Sequence, residues 1–156
     1  WDTSKADMPD LKLLGDFGAS VDGKVYAISG SNVVYGPGVQ EVHPVTTVYR
    51  YDPDIDEWET LAPVPLGTVY SESGVIGNYI YRIGGCPEGL SDDLSIYIKD
   101  AYRYDTVNNI WAKVTDSPNA LLGSTLAEYN NKLYYLGGGR NSTRTSDTRE
   151  FYLLSY

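Results

Sequence analysis

The phrase Tyr49-Arg50-Tyr51-Asp52, with Trp58 seven residues beyond Tyr51, returns as Tyr102-Arg103-Tyr104-Asp105 with Trp111 seven residues beyond Tyr104. A chain that repeats itself this way is built from repeated units. In each copy two aromatics at alternate positions run into an Asp-led polar turn, and a Trp opens the returning strand, which is the pattern of a half-buried hairpin. Trp1 to Trp58 is 57 residues, Trp58 to Trp111 is 53, Gly30 to Gly85 is 55 and Gly85 to Gly138 is 53. A period near ~50 residues belongs to propeller blades, four-stranded sheets that stack around an axis because none can bury both faces alone.

The chain keeps this phase throughout. Residues 15–61 hold Gly15 to Val21, the turn Asp22-Gly23, the alternating run Val25 to Ile28, a Gly/Pro/Ser-rich stretch at 31–44 expected to be a long loop, and the Tyr49 hairpin. Residues 66–116 repeat the order around Gly77-Asn78 and Gly84-Gly85, and residues 121–156 repeat it around Asn130-Asn131 and Gly137-Gly138 but stop before a Trp strand. Residues 1–14 match the segments that begin at Trp58 and Trp111, so they are expected to supply the fourth strand, d, of a preceding or split blade. One such strand, two full units and a final three strands sum to twelve, or about three blades with one split between the termini.

Composition agrees with short strands and turns: Tyr 15, Gly 16 and Pro 8 stand against a single Met in 156 residues. The formal net charge of -9 excludes a nucleic-acid or anionic-membrane surface, which needs clustered Lys and Arg. No run approaches the ~20 apolar residues of a membrane helix, so no membrane insertion is expected. The single Cys86 cannot form an intrachain disulfide, and it reads as a small buried residue at a blade's end rather than a nucleophile.

The Gly-Gly pair closing one strand and the Tyr-x6-Trp spacing across the next hairpin resemble the kelch repeat, over the whole chain. The first unit departs by carrying Ser29-Gly30 in place of two glycines. The resemblance implies an all-β fold, a kelch-type β-propeller portion. Three blades are too few to close a ring of the usual four to eight. The expected completion is a homodimer in which Trp1 to about Leu14 of one copy pairs with the last blade of the other, or the remainder of a longer propeller chain.

Loops that join the second to the third strand of a blade, and one blade to the next, share one face of such propellers, where partners bind. Tyr35, His43, Tyr70, Glu72, Asp92, Asp93, Arg140 and Asn141 fall on those loops or their shoulders and are the candidate partner-binding residues. An Arg after a glycine run, as Arg140 is, suits bidentate reading of a carboxylate. The resemblance implies a non-catalytic scaffold for a protein partner. Its alternative is a carbohydrate-binding or sugar-processing propeller like the sialic-acid epimerases, which the tyrosine-rich acidic loops favour.

Other chemistry fits less well. Asp52, Asp54 and Asp56 alternate like the first ligands of a calcium loop, but Glu57 and Pro63 stand where that loop needs Gly and Glu. They read as a solvated turn. With His43 as the lone histidine, neither a zinc cluster nor the two-His copper site of kelch-like radical oxidases can be assembled. Asn141-Ser142-Thr143 matches a glycosylation acceptor, which matters only in a secretory compartment. No catalytic residue, metal or cofactor is called for.

Overall fold

The computed structural model describes residues 1–10, 17–36, 39–88, 96–121, 123–139 and 151–154, with side chains at all of these except 17, 33–36, 39 and 40. The chain is all-β. The first sheet is ordered β1-β2-β5-β6, from β1 (Phe17–Val21), β2 (Lys24–Ile28), β5 (Val48–Asp52) and β6 (Glu57–Thr60). Between β2 and β5, β3 (Ser31–Gly36) and β4 (Val39–Pro44) pair as a separate antiparallel hairpin. The second sheet runs from β7 (Glu72–Ile76) through β8 (Tyr79–Ile83) and β9 (Ala101–Asp105) to β10 (Ile110–Lys113). The third holds β11 (Thr125–Tyr129), β12 (Lys132–Leu136) and β13 (Phe151–Leu154).

Each sheet is an antiparallel meander whose hairpins β1–β2, β5–β6, β7–β8, β9–β10 and β11–β12 close through short polar turns. Asp22, Asn130 and Asn131 take positive φ there, as hairpin turns demand and as short polar side chains tolerate. The repeated phrase lies where its pattern places it, with Tyr51 directly opposite Trp58 and Tyr104 opposite Trp111. Their ring centroids are 5.0 and 4.9 Å apart.

The sheets meet through their first strands, since β7 touches β1 on one side and β11 and β12 on the other. Alternation along β8 serves both contacts. Ile80 packs with Ala19, Val21, Tyr26, Val48 and Tyr104 in the seam with the first sheet, and Ile83 packs with Leu121 and Tyr135 in the seam with the third. Gly74 allows the second contact to be close: a Cβ there would meet Leu133 Cδ2 at 2.7 Å. A middle sheet buried on both faces is what stacked blades produce.

A polar latch repeats at the blade junctions. Trp58 Nε1 donates to the Ala6 carbonyl at 3.1 Å while Asp56 Oδ1 accepts the Ala6 N–H at 3.0 Å and the Tyr51 hydroxyl. Trp111, Asn109 and Tyr104 make the same three bonds with Ala62 as the strap. The motif therefore fastens each hairpin to the segment that precedes its own blade.

Two details differ from the sequence expectation. Within residues 31–44 a hairpin stands where a long loop was expected; pairing runs from Ser31 opposite Pro44 to Gly36 opposite Val39. Residues 1–10 carry no strand and act at Ala6 as a strap, while 11–14 lie outside the described residues.

Candidate functional site

Strand register puts the connections that leave β2, β6, β8 and β10, and those that enter β1, β5 and β7, at one end of the sheets. The turns Asp22-Gly23, Gly77-Asn78 and Asn130-Asn131 lie at the other. On the connection end β4 leans from the first blade over the second. Its Val42 is buried with Val69, Cys86 and Tyr97, and Tyr70, Ile96 and Ala120 pack against that cluster. Cys86 is accordingly a buried thiol.

His43 stands beside Val42 on β4 and is exposed, with Nε2 3.2 Å from Glu41 Oε2. Tyr35 lies on β3 opposite Gln40. Tyr70 precedes β7, half-buried on the Val42 cluster, with φ of 56°. Since Gly123, 53 positions later, holds φ of 66° at the same point of the third unit, the fold demands a left-handed residue here. A tyrosine meets that demand at a cost of about 1 kcal/mol that glycine escapes.

Glu72, two residues on, opens β7 and faces the third blade, on the side of Gly74 and of Tyr135. It is half-buried and accepts no hydrogen bond among the described residues, and burial pushes its carboxyl up to about 7. A carboxyl with that environment exchanges a proton near neutrality. Tyr70 and Glu72 are thus brought to one rim, and β4 with His43 lies beside Tyr70 through Val42. Asp92, Asp93, Arg140 and Asn141 lie outside the described residues, as does the acceptor triplet starting at Asn141.

The three alternate acids of the Asp52 turn are engaged in the fold. Asp52 pairs with Lys24 Nζ at 2.6 Å and caps the Asp54 N–H at 3.0 Å, Asp54 lies 3.7 Å from the same amine, and Asp56 forms the latch.

Sequence reasoning passed over two residues. Ser29, fully buried with φ of 62°, uses its hydroxyl to donate to the Val45 carbonyl at 2.8 Å and to accept the Thr68 N–H at 3.3 Å. The departure from Gly-Gly in the first unit therefore ties the hairpin base to the next blade's linker. Arg82 is 1% exposed, and burial lowers its guanidinium to about 10. It occupies a place held by Ala27 and Tyr135 in the other units.

Comparison with known proteins agrees with this architecture. The Kelch motif model matches residues 18–65 and 67–118. Kelch-like protein 15 of Homo sapiens is 30% identical over 143 residues, covering 92% of this chain and 22% of its own length. N-acetylneuraminate epimerase of Haemophilus influenzae strain PittEE is 31% identical over 138 residues, covering 86% of this chain and 34% of its own length. The chain thus spans between a fifth and about a third of these relatives. The solved structure of YjhT superposes with a TM-score of 0.68 at 15% identity, over 88% of this chain and 50% of that one, and so shares its fold. With two motif matches in phase and blades that latch through the motif's own Trp, the chain is a kelch-type β-propeller portion and belongs to the kelch-repeat family.

Proposed function

We propose that this chain is a non-catalytic binding module that holds a protein partner on the rim formed by the β3–β4 hairpin, Tyr70 and Glu72. The observation that carries the reading is Tyr70: a large ring kept in a left-handed conformation, where the third unit has Gly123, is retained for what the ring touches. Similarity to Kelch-like protein 15 supports it. Asp92, Asp93, Arg140 and Asn141 extend the same face in this proposal, with Tyr35 and His43 on its hairpin. The test compares proteins retained from extract by the chain and by Tyr70→Gly, after circular dichroism shows both folded. Retention by the parent alone is expected; identical retention by both overturns the assignment.

A second reading is favoured by one observation, the Glu72 carboxyl poised near neutrality in a relative of a sugar epimerase. In it the rim binds or processes an acidic sugar. A glycan array and an NMR assay of N-acetylneuraminate epimer exchange decide between the two. Selective glycan retention or exchange lost in Glu72→Gln supports the sugar reading.

Ring completion belongs to the same proposal. The third sheet has three described strands where its neighbours have four, and Phe151 and Leu153 on β13 are exposed. A Trp-bearing strand from a second copy, or from further sequence of the same polypeptide, covers that edge. Light scattering separates the options: a folded monomer of 17.2 kDa rules out the homodimer.

A further inference from the structure

Arg82 carries a full charge into the seam between the first and second blades without a carboxylate beside it. Its Nη1 donates to the Leu66 carbonyl at 2.9 Å, and its Nη2 meets Thr68 Oγ1, Ser29 Oγ at 3.4 Å and the Thr68 carbonyl at 3.5 Å. All of these acceptors are neutral. Among the described residues no acid pairs with Arg82, and its Nε is buried with no partner. Tyr102, opposite it on β9, is the titratable neighbour, and Glu72 points away into the other seam. An uncompensated buried charge costs several kcal/mol in general, and an unfilled donor adds to it.

Two more unfilled hydroxyls stand near it. Ser73 lies directly opposite Arg82 in the β7–β8 ladder, and Ser71 stands two positions before Ser73, just ahead of β7. Both Oγ atoms are buried and have no partner among the described residues. Cross-strand neighbours have Cβ atoms about 5 Å apart, so an Arg Nε–H and a Ser hydroxyl here are within reach of one shared acceptor. The facing strand β1 offers the aliphatic side chains Ala19 and Val21. Three donors, one positive charge and an apolar far wall describe an anion site rather than a cation or a sugar site. With Ser71 at 0% and Arg82 at 1% exposure, the seam is closed to bulk solvent.

We propose that a small monovalent anion of chloride size sits between the first two blades, held by Arg82 Nε and the hydroxyls of Ser71 and Ser73. The bound ion supplies the counter-charge and fills all three donors, and so locks β8 against the linker through Leu66 and Thr68.

Crystals of the whole chain grown in bromide test the site directly, since bromide scatters anomalously. A peak within about 3.5 Å of Arg82 Nε is expected. A water there without anomalous signal overturns the proposal. In solution, melting temperature is followed against chloride and against gluconate at equal ionic strength. A saturable rise with chloride alone is expected, and equal curves overturn it. Because Arg82→Met removes four other bonds and risks the fold, Ser73→Ala is the second variant. It keeps the charge and loses one hydrogen bond to the ion, so the midpoint of the chloride response moves up roughly tenfold. An unmoved midpoint removes Ser73 from the site.

Discussion

Asn109 Oδ1 accepts the backbone N–H of Ala62 at 2.8 Å, across 47 residues of sequence, and Trp111 Nε1 returns a bond of 3.0 Å to the carbonyl of the same Ala62. One residue of the strap is thereby gripped at both its polar groups. The grip connects the second blade's last hairpin to the segment leaving the first blade. The Tyr-x6-Trp spacing of the repeat thus carries the polar contact between units as well as the aromatic pair within one.

Trp111→Phe keeps most of the ring packing on Tyr104 and loses the bond to Ala62. It is expected to cost about 1 kcal/mol in urea unfolding. Trp111→Ala loses the ring too, and roughly 3 kcal/mol is expected for a Trp that is partly rather than fully buried. The double variant with Asn109→Ala should show coupling, because both side chains hold one peptide unit. Additive losses would mean that the two bonds act independently.

That the phrase marks blades was legible, because aromatics at period 2 before an Asp turn have few other structures to enter. Its service as a latch was not, since Ala6 and Ala62 offer only backbone and lie 50 and 47 residues from the side chains that grip them. The 31–44 hairpin was hidden by Gly36-Pro37-Gly38, which outweighed the alternating Val33, Tyr35 and Val39 on either side. Arg82 was hidden by the ordinary rule that a charged residue in a strand faces water. The rule fails in a sheet covered on both faces, and an Arg between Tyr81 and Ile83 was the available clue. Of the candidate rim, Tyr70 and Glu72 could be placed by phase alone, but the left-handed backbone of Tyr70 emerges only when Gly123 is set against it.

Asp56 and Asn109 perform the same task with different charge. Hydrogen bonds from Tyr51 and from the Ala6 N–H hold the Asp56 carboxyl below its usual value, the Tyr51 bond contributing most. A depressed folded value gives stability that is present above the ordinary carboxylate range and lost as pH falls through the folded value. Asp56→Asn should therefore fold well at neutral pH, as the second blade does with Asn109, and should flatten the acid limb of stability below about pH 4. Thermal melts of both proteins from pH 7 to 2.5 measure this. A parallel acid limb would show that Asp56 is not linked to folding.

Glu72 has the opposite sign. Burial raises its folded carboxyl to about 7, above an ordinary 4.5. Below 4.5 the group is neutral in both states and imposes no penalty. Between 4.5 and 7 the unfolded chain releases its proton while the folded chain keeps it, so stability falls as pH rises and stays low above 7. In Glu72→Gln that decline should disappear, leaving a flatter profile from pH 5 to 8. Tyr135 beside it stays neutral over this range, because burial pushes its phenol up from 10. A wild-type decline unchanged in Glu72→Gln would place its origin elsewhere.

Gly85 and Gly139 separate close approach from mere glycine content. Gly85 has φ of 97°, and a Cβ there would lie 2.8 Å from the Val69 carbonyl oxygen and against the Thr68 side chain. Backbone cannot swing aside as a side chain can, and Thr68 is itself tied to Arg82. The surrounding backbone is committed too: Val69 and Cys86 exchange bonds of 3.0 and 2.8 Å, and the Ile98 N–H reaches the Gly85 carbonyl at 3.0 Å. Gly85→Ala therefore has to break the bridge at the second blade's rim, and a loss above about 2 kcal/mol is expected, the size of a core overpacking defect. Gly139 has no left-handed φ, and a Cβ added there would meet no atom of the described residues within 4 Å, so Gly139→Ala should change stability by less than about 0.5 kcal/mol. Urea unfolding of the two variants measures the contrast. Equal small effects would show that the glycine pair of the second repeat is not where linker and blade meet closely, and would remove the support that Val69 and Cys86 give to the Tyr70 rim.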